Sequence, residues 1–269
     1  MANYEIRPLQ LRILDVLVAF DKVCKEHGLT YYLWAGTMLG AVRHKGFIPW
    51  DDDADVAMPR KDYEMLLKHA SEWLPKPFEL NSGTFSKFVD SSTTVVERYD
   101  MLSVGGIYVD IFPLDEIRGK GLLSRLHTAH YSFLVKITYF CNRNPYKHGH
   151  GPSSWLPLLI QKLYTNDQLI KKTVRLMKKY SGSDYEYLCD HNFSHRGIMP
   201  KSYFGKPKPI IFEGKELSCV EFPDKCLTLL YGDYMQLPPE GKRKQHQFYY
   251  LNYDLPYREY KDERDFSKK

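Results

Sequence analysis

Four aspartates crowd into five positions, Asp51, Asp52, Asp53 and Asp55, and the last two open the run Asp53-Ala54-Asp55-Val56-Ala57-Met58. That run predicts the start of a short buried strand. Strand side chains alternate, so Asp53 and Asp55 would share one face while Ala54, Val56 and Met58 take the other. Carboxylates at neighbouring same-face positions repel, and a hard, oxygen-liganded divalent cation such as Mg²⁺ (or Mn²⁺) relieves that repulsion. A third acid, Asp110, sits inside Gly106-Ile107-Tyr108-Val109-Asp110-Ile111-Phe112, an otherwise apolar strand. An unpaired buried carboxylate is expensive, so Asp110 is metal-bound, paired with a cation, or exposed at a strand end. By contrast Asp115 and Glu116, beyond Pro113, read as surface or helix-capping acids.

Phosphate-handling features accompany these acids. Gly36-Thr37 makes a sharp turn into a short helix over 37–44, and a helix start offers backbone N–H groups to a phosphate. Arg43, His44 and Lys45 follow directly, and Lys242, Arg243, Lys244 and His246 form a second cationic cluster near the end of the chain. The chemistry implied is metal-assisted phosphoryl transfer. Asp53, Asp55 and Asp110 would clamp one or two cations around a phosphoryl group, and the basic residues would contact the donor's phosphates. Asp110 could also draw the proton from an attacking hydroxyl.

The elements that must position these residues follow from periodicity. Residues 8–26 predict a helix, with Ile13, Leu17, Phe20 and Cys24 on one stripe and Gly28 closing it. A strand is expected over 29–33, and a helix starting at Pro59 should present Tyr63, Leu66, Leu67, Ala70 and Leu74. Short strands are expected over 84–89, 93–97 and 106–112. Residues 121–140 predict a helix with Leu122, Leu126, Ala129, Phe133, Ile137 and Phe140 on one flank. A polar stretch over 142–154 holds His148 and His150, an apolar patch follows at 155–160, and then comes a basic helix. Residues 209–213 and 216–220 flank Gly214 as a hairpin, a short helix ends at Leu230, and the tail from Tyr257 reads as frayed. The resulting organisation is a catalytic core over 1–118, a helical and partly basic insertion over 119–182, and a C-terminal part over 183–269 that completes the cleft.

With 269 residues and 43% hydrophobic content the chain can bury a substantial core. Five cysteines, an odd number without tight spacing, read as reduced thiols of a cytoplasmic protein. No amino-terminal signal pattern is evident, and the apolar run 31–42 is too short to span a bilayer. Residues 161–180 alone carry six basic side chains against Asp167, enough to account for the net charge of +5. This reads as a solvated helix face or as a contact for an anionic partner, such as a membrane surface. Nothing resembles a nucleic-acid recognition module.

The run GTMLGAVRHKGFIPWDDDADVAMPRKDYE resembles the signature of the LicD family, phosphocholine transferases of bacterial surface glycans, with fukutin-type relatives that transfer sugar-alcohol phosphates. Tyr108 to Asp115 and the segment from Tyr231 through Pro238-Pro239 to His246 are also similar to that family. The resemblance implies an α/β (α+β) fold of the nucleotidyltransferase type, a mixed β-sheet flanked by helices, with a helical insertion and a turn-rich C-terminal region. It implies Gly36 and Thr37 as the glycine-turn motif, Asp53 and Asp55 as paired metal ligands and Asp110 as the third acid. It also implies a CDP-activated donor, CDP-choline first, and a sugar hydroxyl of a teichoic-acid-like or other surface-glycan precursor, lipid-linked or free, as acceptor. Such precursors are assembled at the inner face of the cell membrane.

Alternatives remain within this reading. Ribitol or glycerol phosphate could replace phosphocholine, or a whole NMP could be transferred from an NTP. A quaternary ammonium calls for an aromatic cage, for which Tyr99, Tyr108, Tyr231 and Tyr234 are candidates. Asp51 and Asp52 are expected to shape the metal loop, bind groups around the metal or hold Arg43 and Lys45, with direct ligation the alternative, and Trp50 to fill the core or stack on a base. Cys189, His191 and His195, with Cys219 or Cys226, could make a zinc site, but buried thiols and surface imidazoles are the expected state.

Overall fold

The computed structural model describes residues 4–101, 103–146, 151–243, 245 and 247–264, so His148, His150, Lys244 and His246 lie outside the described residues. Helix α1 (Ile6–Glu26) buries the expected stripe of Ile13, Leu17, Phe20 and Cys24. Strand β1 (Tyr32–Leu33) leads into helix α2 (Ala35–His44), and strand β2 (Asp55–Pro59) runs directly into helix α3 (Arg60–Trp73). Strands β3 (Phe78–Ser82), β4 (Ser86–Val96) and β5 (Gly105–Ile117) follow. Next come helices α4 (Leu122–Asn142), α5 (Pro152–Leu163) and α6 (Asn166–Met177). The last part holds β6 (Tyr187–Cys189), β7 (Ile198–Pro200), α7 (Lys201–Phe204), the hairpin β8 (Lys208–Phe212) and β9 (Lys215–Cys219), α8 (Pro223–Tyr231) and β10 (Tyr250–Asn252).

A mixed sheet in the order β1-β2-β5-β4-β10 forms the centre, with β2 parallel to β5 and the other pairings along this path antiparallel. Strands β3 and β10 both pair with β4, one near each end. The core under the sheet runs from Leu9 on α1 through Trp34, Val56 and Ile111 to Phe248, so residues from both ends of the chain share it. The two strands expected over 84–89 and 93–97 are one bent strand. A register shift lies between Asp90 and Val95, and there Thr93 Oγ1 accepts from the Ile107 N–H (2.7 Å) in place of a ladder bond. Gly106 permits the approach, because a Cβ there would lie 1.9 Å from the Asp90 carbonyl oxygen.

Strand β5 continues through Pro113 to Ile117, which corrects the expectation for the acids that follow. Asp115 is fully buried and takes both prongs of Arg60 at 2.7 Å, while Glu116 pairs with Lys201 at 2.7 Å. Nor does the chain fray at Tyr257. Arg258 Nη2 donates to Glu79 Oε2 (2.6 Å), and the buried Arg264 donates to the carbonyls of Arg98 and Met101.

Sequence left open which way the apolar flank of α4 turns, and it turns outward at Leu122, Leu126 and Phe133, which are 72, 59 and 60% exposed, while Ser124, His127, Thr128, Tyr131 and Leu134 face inward. Helical periodicity locates an apolar stripe but not which side of the helix meets the protein. The inward polar face docks through histidines. His127 Nε2 lies 3.1 Å from His191 Nε2, His191 Nδ1 is 3.6 Å from Asp115 Oδ2, and Tyr131 donates to Asn192 (2.9 Å).

Burial holds both histidines below their ordinary 6.5, His127 at about 4 with Lys179 and His130 adding to the shift, and His191 at about 3 with His127 and Arg60 adding. The unfolded chain therefore takes up protons below about pH 6.5 that the folded chain refuses, so stability falls as pH drops through this window. In urea unfolding at pH 7 and pH 5, His127→Gln should lose less stability than the wild type, by on the order of 1 kcal/mol. Equal losses would mean that His127 does not resist protonation in the fold.

Candidate active site

The parallel register of β2 and β5 sets Asp55 directly beside Asp110, and the antiparallel register of β4 continues the row to Lys87. Adjacent strands lie about 4.8 Å apart and residues in one cross-strand row share a face, so two negative charges and one positive stand in line. The backbone of Asp55 is fastened on both sides. Its N–H donates to Thr37 Oγ1 (2.7 Å) and its carbonyl accepts from the Trp34 N–H (2.9 Å), while the Asp110 N–H donates to the Ala54 carbonyl (2.9 Å). Between Trp34 and Gly36 the chain turns through Ala35 at φ +45°, a region sparsely populated by non-glycine residues and costing on the order of 1–3 kcal/mol. The strain therefore sits where β1 meets α2, next to the acids.

Strand β2 begins at Asp55, so Asp53 lies in the irregular lead-in and is not its same-strand partner. The Asp53 charge still acts on Asp55. Burial raises the Asp55 carboxyl well above the usual carboxylate range, and Asp53, Asp110, Asp51 and Asp190 raise it further, in that order. Asp110 is pushed up to about 6, chiefly by burial; Lys87 pulls it down, while Glu97 and Asp53 push it up. Lys87 Nζ lies 2.9 Å from Asp110 Oδ1 and 3.1 Å from Glu97 Oε1, and sits 3.3 Å from the ring centroid of Tyr108. Asp110 Oδ1 has this ion pair but no aligned hydrogen-bond donor. Asp110 is thus buried beside the Lys87 cation and is not exposed at a strand end. Among the described residues, no three His, Cys, Asp or Glu side chains close on one point as a metal cage.

The other expected residues divide between the two ends of α2. At its start Gly36 faces Asp51, whose Oδ2 would lie 2.9 Å from a Cβ on that glycine, so a carboxylate meets the helix N-terminus. Arg43, His44 and Lys45 lie at the opposite end of this ten-residue helix, about 15 Å long. Arg43 Nη1 donates to the Tyr234 carbonyl (2.7 Å), and Lys45 caps the helix at φ +60°. This triplet is therefore not gathered at the helix start. Burial lowers both Arg43 and His44, with Arg43 adding to the effect on His44. Of the C-terminal cluster, Lys242 is exposed in a 3₁₀ turn, whereas the Arg243 guanidinium lies over the Trp50 ring at 5.1 Å, beside the acidic run.

Asp52 and the 48–51 backbone tie the acidic loop to the amino-terminal segment. Tyr4 donates to Asp52 Oδ2 (2.8 Å), and Gln10 Nε2 donates to the carbonyls of Asp51 (2.9 Å) and Ile48 (3.2 Å). Trp50 packs against the main core with its face toward Arg243. Of the four tyrosines, Tyr108 and Tyr231 have phenols raised first by burial and then by the nearby acids, although Tyr231 keeps 40% of its surface exposed. Tyr99 packs edge-on against Tyr249, and Tyr234 donates to Asp224. Cys189 joins Ile117 and Ile198 in a small satellite cluster, while Cys219 and Cys226 are in the main core.

Three members of this neighbourhood carry no clear signal in the sequence. Lys87 alternates with Ser86 and Phe88 and looks like an ordinary strand-surface lysine until pairing sets it beside Asp110. Glu97 becomes its second anchor. Asp190 accepts from Trp34 Nε1 (2.8 Å) and the Asn192 N–H (2.9 Å), a hint that only the long-range Trp34 contact supplies.

A mixed sheet with carboxylates side by side on parallel strands, following a glycine-containing turn into a helix, is a nucleotidyltransferase-like arrangement. Residues 28–139 match the family described as LicD/FKTN/FKRP, nucleotidyltransferase domain. Over 262 residues the chain is 29% identical to the Lipopolysaccharide cholinephosphotransferase LicD of Haemophilus influenzae, covering 91% of this chain and 97% of that protein. A 52-residue stretch is 46% identical to the uncharacterized protein RP689 of Rickettsia prowazekii, 19% of this chain and 20% of that one. A further 104 residues are 26% identical to Mannosyltransferase regulator 4 of Saccharomyces cerevisiae, 38% of this chain and 9% of that one. Residues 28–139 are thus similar to the LicD-type nucleotidyltransferase domain, and the likeness to one LicD protein runs along most of the chain.

Thr37 is the side chain that fixes the Asp55 backbone. Thr37→Val leaves a buried N–H without an acceptor and should cost about 1–3 kcal/mol, whereas Thr37→Ser keeps the hydroxyl and should cost much less. Urea unfolding of both variants measures this; a Thr37→Val cost no greater than that of Thr37→Ser would show that the hydrogen bond to the Asp55 N–H contributes little.

Proposed function

We propose that this chain transfers phosphocholine from CDP-choline to a sugar hydroxyl of a teichoic-acid, lipopolysaccharide or other cell-surface glycan precursor and releases CMP. The observation that carries the proposal is the Asp55–Asp110 pair on adjacent parallel strands, with Asp53 beside it. Likeness along nearly the whole chain to a cholinephosphotransferase supports the donor class. In the reaction the hydroxyl oxygen bonds to the phosphorus that carries choline. The bond from that phosphorus to the CMP oxygen breaks, CMP leaves, and the hydroxyl proton passes to a carboxylate. Asp110 is the carboxylate we assign to that proton.

Asp53, Asp55 and Asp110 would also hold Mg²⁺ or Mn²⁺, since an all-oxygen donor set with surplus negative charge suits a hard divalent cation. A cation held there would neutralise charge developing on the phosphoryl oxygens. Arg243, near the acidic run, would meet the donor's phosphates. Choline is favoured over a polyol by the likeness to a cholinephosphotransferase; Tyr108, over which Lys87 Nζ now rests, is a ring beside the acids that could face a quaternary ammonium once Lys87 moves.

Two measurements test this reading. The chain is incubated with Mg²⁺ and CDP-choline, CDP-ribitol, CDP-glycerol or CTP, with and without glycan precursor. CMP release from CDP-choline that depends on acceptor is the expected result. Release only from another CDP-alcohol would reassign the donor, and pyrophosphate from CTP would overturn the reaction class. Separately, Asp55→Asn should lower turnover by at least about a hundredfold while raising the thermal midpoint in chelator, because it removes one of several repelling buried charges. Mg²⁺ should raise the midpoint of the wild type but not of the variant; an equal rise in both would remove Asp55 from the metal site.

A further inference from the structure

Residues 119–182 hold eleven lysines and arginines against a single acid, Asp167, a surplus of ten in a chain whose net charge is +5. The rest of the molecule is therefore net negative, and the positive charge is concentrated on the segment containing α4, α5 and α6. That segment is also where apolar side chains point outward. Leu126 and Phe133 on α4, and Trp155, Leu159 and Leu163 on α5, are between 43 and 61% exposed. Helix α4 packs against both α5 and α6, so the apolar sides and the cations belong to one helical layer.

Between α4 and α6 lies a cavity of about 540 Å³, lined by Leu134 and Leu176 and by His130, Lys172, Arg175 and Lys179. Neighbouring Lys171 and Lys178 pair with Asp167 and Glu64, but among the described residues no carboxylate pairs with Lys172, Arg175 or Lys179. His130 stands four residues after Leu126 and three before Phe133, so the cavity adjoins the outward apolar stripe. Cations without a carboxylate partner, two of them (Lys172 and Lys179) over the rings of Tyr164 and Tyr180, surround a partly apolar cavity beside exposed leucines and aromatics, an arrangement that matches a phosphate headgroup and its acyl chain.

We propose that α4, α5 and α6 form an interfacial docking surface for an anionic phospholipid bilayer, and that the cavity ringed by His130, Lys172, Arg175 and Lys179 takes one lipid phosphate headgroup. Apolar side chains enter the headgroup–acyl boundary, while the cations are drawn by the negative surface. A second copy of this chain would bring the same positive surplus and be repelled, whereas an anionic bilayer complements both the charge and the apolar surface. Among the described residues no helix is long and apolar enough to cross a membrane, so the contact lies on one leaflet. The proposal is independent of the donor and acceptor assigned above.

The test is co-sedimentation of the full chain with vesicles of phosphatidylcholine alone or mixed with phosphatidylglycerol, alongside light scattering of the free protein. Binding is expected on the mixed vesicles, with the free chain monomeric through this face. Lys172→Glu with Arg175→Glu should weaken binding at least about tenfold. Leu126→Ser with Phe133→Ser should also weaken it, and inorganic phosphate at millimolar concentration should not displace the wild type. Circular dichroism matching the wild type shows that each variant is folded. Equal affinity for both vesicle types, displacement by free phosphate, unchanged binding by the folded variants, or dimerisation abolished by Leu126→Ser with Phe133→Ser would each overturn the proposal.

Discussion

Asp55 and Asp110 stand side by side on parallel strands, and the charge of Asp110 adds to the cost of ionising its buried neighbour. No packing or hydrogen bonding among apolar neighbours can remove that cost, because it comes from placing like charges where water screens them poorly. Much of the surrounding structure works to keep the pair in place. Thr37 and Trp34 clamp the Asp55 backbone, Ala54 holds that of Asp110, and Lys87 supplies a counter-charge on the third strand of the row. Tyr4 and Gln10 bind the loop that delivers the acids.

Charge is divided across the molecule in a way that connects this centre with the helical segment. The acids gather at one end of β2, while the cations gather on α6 and its neighbours, whose outward apolar side chains the protein itself does not cover. The two regions touch through the buried network of Arg60, Asp115, His191 and His127, which joins the beginning of α3, the far half of β5 and the inner face of α4. The helices are therefore fixed to the same strand that carries Asp110.

What the sequence made legible was local. The α1 stripe and the hairpin around Gly214 follow from periodicity and turn chemistry, and the structure has both; Asp110 does lie beside Asp55, but Asp53 stands outside the strand expected to hold it. Pairing across strands was not legible, since Lys87 and Glu97 become partners of Asp110 only through the register of β4 with β5. Direction was not legible either. The apolar flank of α4 is as periodic as that of α1, yet it faces outward, because the inner contacts are made by His127, Thr128 and Tyr131. Asp115 looked superficial because Pro113 suggests a break, but the strand passes through the proline and buries the acid against Arg60. The basic triplet after Gly36 lies close in sequence, yet the length of α2 carries it to the far end of the helix.

The central claim is that the repulsion between Asp55 and Asp110 is answered by a bound divalent cation. Anomalous diffraction from crystals of the chain grown with Mn²⁺ tests it most directly. The account predicts a single strong peak, or a close pair, within ligand distance of Asp55 and Asp110, with Lys87 displaced from Asp110 Oδ1. A Lys87–Asp110 ion pair left intact, with no anomalous density near either carboxylate, would contradict it.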